Sequence, residues 1–589
     1  MKQEIIKKIT SLFAIGAGLF HIYTGFFGIV GTQQIICLTL VGVIGFISLP
    51  INRNRNKITH VHLIDIFFAA LMLFVGIYMS LNYVSLVTSV GAATRIHIIL
   101  GVVLTLLVLE LTRRTIGWPL VIITIIFIAY SLFGEFLPGI LKVRSFSLGR
   151  VASYLILTSD GIYGPAMSAV SHFVILFVIL GAFLRISGLG DFFINAVKNI
   201  FSGTRGGPAK VAVVASALYG TISGSSTANV VTTGSFTIPL MKKSGFSANF
   251  AGAVEAVAST GGQFTPPIMG TTAFVLASVV GVSYVTVMTA AIIPALLYYL
   301  HVFLVVDLRS INLGLKSKKE IINWRYILSG SYKIIPVILL VYLLVGLHLS
   351  LMRAAATTII ATIVFSWFER DWRMDLKKIA IALDEGVRGA IIIVSASACA
   401  GIVIGMVCLT GLGMRLSGIL IELSHGNLII TLILAMIACI ILGMGVPTLA
   451  AYVIMAMVIA PTIISLGVDR LIAHLFVFYF ACFSAITPPV ATATYAAVSI
   501  SGGDIWKTGI MALKLGVIGF AMPFFLVYNP HLIIIGSSFW SIIRAVLAAI
   551  LSIFLLSTVV EKNFFGRKIS VIIQILLLLI VFIIVFLSK

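Results

Sequence analysis

The chain has 589 residues, 60% of them hydrophobic and only 10% charged, against roughly 25% charged in soluble domains. So much apolar surface excludes a soluble globular protein, and the length and continuity of the apolar runs exclude an outer-membrane barrel. The formal charge of +21 would suit a nucleic-acid binder, but the basic residues sit in short connections beside apolar runs, where they face anionic lipid and leave no role for nucleic acid.

Four apolar segments open the chain, near 9–30, 34–49, 62–82 and 96–111, and form a block over residues 1–115. The first has the outline of a secretory signal, but its length and the span that follows at once mark a retained helix. Lys2, Lys7 and Lys8 precede it, Arg53, Arg55 and Lys57 follow the second segment, and Arg113-Arg114 follows the fourth. Two helices between successive clusters put all three on one side, which the positive-inside rule makes cytoplasmic, the N-terminus included. A fifth span, 116–133, ends in Gly134-Glu135-Phe136-Leu137-Pro138-Gly139, a break. Residues 116–150 are therefore a connector.

Two long units follow, 151–310 and 381–525, separated by a helix pair at 311–380 whose flanks are basic (Lys316, Lys318, Lys319; Arg370, Arg373, Lys377, Lys378). Residues 526–589 add C-terminal helices, the last of which, 569–587, carries only Ser570 and Gln574 as polar residues. A spanning helix needs about 20 apolar residues, so the chain holds about 14 to 18 membrane segments.

The two units repeat one another. Thr265-Pro266-Pro267 recurs as Thr487-Pro488-Pro489, 222 positions on, and Gly188-Leu189-Gly190 recurs as Gly411-Leu412-Gly413, 223 positions on. Gly224-Ser225-Ser226-Thr227-Ala228-Asn229 is matched by Gly445-Val446-Pro447-Thr448, and Asp160-Gly161 to Gly164 by Glu385-Gly386 to Gly389. Paired units broken at corresponding places are the sequence sign of a secondary transporter with its site at the repeat interface, most commonly with the repeats inverted.

Each break implies chemistry. Irregular backbone at membrane depth survives only when buried or lining a cavity. The hydroxyls of Ser225, Ser226 and Thr227 and the Asn229 amide offer the oxygen ligands that hard cations prefer, so the stretch reads as a hairpin tip holding Na+ or solute; the bland alternative is small-residue helix packing. Gly443-Met444-Gly445-Val446-Pro447-Thr448 must end or unwind its helix. Each Pro-Pro pair forbids a regular helix and extends the residue before it, and a half-helix starting beyond it would turn a positive dipole end toward an anion.

Glu255 lies in apolar sequence, which demands either a surface position or an internal partner. Asp65, Glu110, Asp160, Asp191 and Glu422 sit near predicted helix ends and read as interfacial, and Asp504 as an N-cap. Cys37, Cys399, Cys408, Cys439 and Cys482 lack metal spacing and read as small apolar packers. The sequence holds no His-Glu-x-x-His, Gly-x-Ser-x-Gly or Walker motif, which speaks against an enzyme and against ATP as the energy source.

The motifs at 224–242, 264–270 and 443–448 closely resemble the large membrane subunit of tripartite ATP-independent periplasmic (TRAP) transporters. The block before residue 115 is similar to their small membrane subunit, fused here as in the class that works with a TAXI-type soluble receptor. The resemblance implies an all-α polytopic membrane protein of elevator type, with two repeats carrying re-entrant hairpins and broken helices. It implies Na+-driven import of a carboxylate-bearing organic solute across the inner membrane, with an extracytoplasmic TAXI-type binding protein as partner and no cofactor beyond Na+ as coupling ion. Carried onto this chain, the site falls on Ser225, Ser226, Thr227, Asn229, Thr265, Pro266, Pro267, Gly445, Pro447, Thr448, Thr487, Pro488 and Pro489, with Na+ held largely by backbone carbonyls near Ser225, Asn229, Gly445 and Thr448. The alternatives are a self-sufficient Na+/carboxylate symporter without receptor, a channel and, from another class, a polytopic membrane enzyme.

Overall fold

The computed structural model describes residues 2–49, 63–317, 322–564 and 567–587. The basic cluster at 53–57 and Lys318-Lys319 lie outside them. Regular structure among the described residues is helical, apart from a two-stranded antiparallel ladder pairing Asn563 with Lys568 and Phe564 with Arg567. Among the described residues eleven helices are long and apolar enough to cross a membrane, fewer than the apolar runs suggest. The difference lies in helices of 10–17 residues, which Gly and Pro cut short inside continuous apolar sequence.

The chain divides into two compact units. The first comprises Met1–Ser187, Pro336–Asn427 and Leu449–Thr462. Its hub is the 35-residue helix Leu376–Thr410, about 50 Å long against a hydrocarbon core of about 30 Å. Asp375 caps it, accepting from Lys378 N at 2.7 Å. Lys2–Phe27, Gln33–Ser48, Arg95–Thr115, Trp118–Phe133 and Ile175–Ile186 all pack against it. Small buried side chains from Ser395 to Gly401 allow that crowding; a Cβ on Gly401 would lie 2.6 Å from the Gly161 carbonyl oxygen. Arg388 staples the hub to the first two helices, donating to Ser48 Oγ at 2.7 Å and Ser11 Oγ at 3.2 Å.

Two expectations change here, and a third residue gains a partner: Asp65, in the first turn of Leu63–Leu81, is fully buried and paired with Arg114 at 2.6 Å. The Gly-rich starts do not correspond in structure: 160–164 is a turn, whereas Glu385 to Gly389 is helical, because hub packing overrides two glycines. Cys408 is exposed, while the other four cysteines are buried.

The second unit comprises Gly188–Ile335, Leu428–Thr448 and Ile463–Lys589. Gly207–Ser223 and Ser226–Lys243 form a helical hairpin that packs on Ala248–Gly261. A single 3-10 turn, Gly262–Phe264, ends the latter, and Thr271–Val280 resumes beyond the proline pair. The later segment repeats this order: Arg470–Phe483, a 3-10 turn Ser484–Ile486, then Thr492–Ser501. Thr492–Ser501 lies against both Ser226–Lys243 and Ala248–Gly261. Asp504 caps Ile505–Leu515 as expected, accepting from Lys507 N at 2.8 Å.

Candidate functional site

Every residue singled out for the site belongs to the second unit, although the chain leaves that unit and returns to it twice. The structure builds them into four places.

The first is the hairpin tip. Only Gly224 and Ser225 leave the helix; residues 226–229 form the first turn of Ser226–Lys243, so the predicted loop is shorter than expected. The physical reason is capping: Ser225 Oγ accepts from Ala228 N and satisfies a donor that a helix start leaves orphaned. Gly224 takes φ +60°, a left-handed conformation that side chains rarely adopt, and its Cα hydrogen faces the Met269 carbonyl where a Cβ would lie at 2.8 Å. Ser225 and Thr227 are exposed, Ser226 is 6% exposed and Asn229 is fully buried. Asn229 Nδ2 donates to Ser216 O across the hairpin at 2.9 Å.

The second place is the first proline break. Thr265 is extended (φ −95°, ψ 118°) and its hydroxyl donates back to Gly261 O at 2.6 Å. Tyr284 OH lies 2.8 Å from Pro267 O and 2.6 Å from Ile268 O, donating to that pair of carbonyls. Gly270 N closes the loop on Gln263 O at 2.6 Å. Behind the tip, a Cβ on Gly220 would come within 2.5 Å of Gly262 Cα, so the hairpin and the break meet backbone to backbone.

The third is the second proline break, which takes the same course. Thr487 has φ −90° and ψ 118°, and its hydroxyl donates to Phe483 O at 2.8 Å, again four residues back. A phenol again serves the carbonyl of the second proline, here Tyr495 OH on Pro489 O. Both Pro-Pro bonds are cis. Phe264, on the first 3-10 turn, lies 4.8 Å from the Tyr479 ring and 5.7 Å from the Phe483 ring, so an aromatic core joins the two breaks. Gly509 lies against Pro488, where a Cβ would meet Cγ at 2.8 Å.

Gly445 and Pro447 stand between Leu428–Gly443 and Thr448–Val458, and Thr448 opens the second of these helices. Gly445 has φ +72°, the counterpart of Gly224. Leu428–Gly443 packs on Arg470–Phe483 and on the 3-10 turn before Thr487, which places this interruption beside the second break.

Several further members lie outside the residues assigned to the site from sequence. Gln263 Nε2 and Thr494 Oγ1 flank the two breaks, are 4% and 0% exposed as residues, and have no hydrogen-bond partner among the described residues. Ser216, Thr233, Thr237 and Ser259 gather around Glu255. Their signal was present as spacing: Asn229, Thr233 and Thr237 recur every four residues, as do Glu255 and Ser259, which puts each set on one helical face. Among the described residues no group of three or more His, Cys, Asp or Glu side chains could hold a metal.

The family model described as tripartite ATP-independent periplasmic transporter, DctM component, matches residues 103–541, most of the chain. An uncharacterized protein of Sinorhizobium fredii is 23% identical over 362 residues, 60% of this chain and 84% of its own length. The isethionate TRAP transporter permease protein DctMQ of Oleidesulfovibrio alaskensis is 22% identical over 384 residues, 64% of this chain and 60% of its own. The C4-dicarboxylate TRAP transporter large permease protein DctM of Pseudomonas aeruginosa is 23% identical over 402 residues, 66% of this chain and 91% of its own.

Proposed function

Because the chain belongs to the DctM component family of tripartite ATP-independent periplasmic transporters, and is thus a multi-pass membrane permease, we propose that it imports a carboxylate-bearing organic solute by Na+ symport, taking it from a TAXI-type extracytoplasmic binding protein. The observation that carries this reading is the pair of breaks with one backbone course, joined by Phe264 and flanked by the unpartnered Gln263 Nε2 and Thr494 Oγ1.

A free amide N–H and a hydroxyl suit an oxyanion, and both half-helices, Thr271–Val280 and Thr492–Ser501, begin just past the breaks, with the positive ends of their dipoles there. Two of these relatives are named for isethionate and for C4-dicarboxylates, all organic anions. Na+ would lie nearer the tips, at backbone carbonyls around Ser225 and Asn229 in one half and Gly445 and Thr448 in the other, where left-handed glycines turn the chain. The unit that holds all thirteen residues is the part we assign to movement in an elevator cycle, and the first unit the scaffold.

Reconstituted with its receptor, the protein should accumulate the receptor's ligand only when Na+ is higher outside, and equal uptake with K+ on both sides would reject the coupling. Asn229→Leu and Thr448→Phe should each abolish uptake with expression intact. Unchanged uptake in both would remove these residues from the site.

A further inference from the structure

Glu255 stands in the middle of Ala248–Gly261 with 0% exposure. Its sequence position asked for a surface or a partner, and the structure places it away from the surface: among the described residues no Lys, Arg or His forms an ion pair with it. Four hydroxyls surround it instead. Ser216 Oγ is 2.7 Å and Ser259 Oγ 3.2 Å from Oε1, Thr233 Oγ1 also meets Oε1, and Thr237 Oγ1 meets Oε2.

A count of protons shows what this cage can do. Each hydroxyl has one proton to give, and three of the four have a second acceptor in reach. Thr233 Oγ1 lies 2.8 Å from Asn229 O and 3.3 Å from Asn229 Oδ1, Thr237 Oγ1 lies 3.0 Å from Thr233 O, and Ser216 Oγ lies 3.0 Å from Thr233 Oγ1. With the carboxylate ionised, the hydroxyls turn inward and donate to it. With the acid protonated, its O–H donates to a neighbouring hydroxyl oxygen and the threonines turn back to the helix carbonyls. Both states are satisfied by hydroxyl rotation at fixed heavy-atom positions. An arginine or lysine partner would lock the ionised form instead.

We propose that Glu255 takes up a proton from water and returns it during the transport cycle, and that Thr233 carries the change to the first hairpin. When the carboxylate holds the Thr233 proton, the Asn229 main-chain oxygen and Oδ1 are both released as acceptors; when Glu255 is protonated, that proton returns to the nearer of them, the main-chain oxygen at 2.8 Å. Resting in this respect on the Na+ reading above, occupancy of the coupling cation near Asn229 and protonation of Glu255 oppose each other, and each weakens the other by the same factor.

The titratable group facing Glu255 from a packed element is the phenol of Tyr299 on Tyr284–Asn312, which donates to Ala258 O at 2.9 Å. Charges on the other packed helices are engaged elsewhere or exposed. Lys210 pairs with Asp307 at 2.6 Å, Lys242 bonds Ser501 O at 2.7 Å, and Arg470 bonds Val279 O at 3.0 Å. Lys243, Lys507 and Lys514 are exposed.

Infrared difference spectra of the full chain in detergent, titrated with pH, test this directly. Acidification should raise a protonated-carboxyl band that Glu255→Gln deletes and Glu255→Asp moves, the second variant serving if the first does not fold. Adding NaCl, with choline chloride as control, should shrink the band and release on the order of one proton per chain. A spectrum in which neither variant alters any carboxyl band at any pH overturns the proposal. A band that ignores Na+, in protein whose thermal stability does respond to Na+, overturns the link to Asn229. If Na+ changes neither band nor stability, the sodium reading is what fails, and the pH titration still decides the fate of Glu255.

Discussion

Arg114 shows how a residue that reads as a loop charge becomes a structural one. Its guanidinium meets Asp65 at 2.6 Å and Glu110 at 2.7 Å, lies over the Phe46 and Phe68 rings, and leaves the side chain 2% exposed. Removing one partner of a buried pair strands the other, so Arg114→Ala should lower stability by about 3–5 kcal/mol, measured by thermal unfolding in detergent. Replacing both, as Asp65→Asn with Arg114→Met, should recover most of that loss, since the desolvation cost disappears along with the attraction. Sequence could not distinguish this arginine from its half-buried neighbour Arg113. Both follow an apolar run, and only the packing of three helices decides which one turns inward.

At the scale of elements, the contact between Gly220 and Gly262 is where the hairpin is held to the first break. Gly220→Ala and Gly262→Ala each place a methyl about where the other backbone stands, so each should cost about 1–3 kcal/mol and suppress transport. Gly16→Ala, at a glycine with nothing within 4 Å of the added carbon, should do neither. Thermal stability and uptake assays on the three variants check this. The breaks themselves were legible, because Pro-Pro and closely spaced glycines forbid a helix wherever they fall. The half-helices after them, Thr271–Val280 and Thr492–Ser501, start where that logic puts them. The hydroxyl cage was not legible, since it takes one face from each of three helices and no single stretch announces it. The matched Gly-rich starts failed for the converse reason: a local resemblance at 385–389 yields to burial along a 35-residue helix.

For the whole molecule, the two compact units interleave along the chain, so neither is a simple block of sequence. That the protein is a polytopic helical membrane protein followed from composition and apolar length alone. Which segments join which unit did not, because it depends on contacts between residues hundreds of positions apart. Orientation remains a matter of charge: single cysteines placed at Lys316 and Asp371, with Cys408 replaced, should resist an impermeant maleimide in intact cells and react after lysis. Labelling of both in intact cells would reverse the assignment. One further consequence follows from the hub helix, which gathers the N-terminal block on the same chain through contacts as modest as Arg388 with Ser48 and Ser11. A tether turns docking into an intramolecular event at an effective concentration on the order of millimolar. The block therefore needs no interface strong enough to survive dilution, and its stoichiometry with the rest is fixed at synthesis.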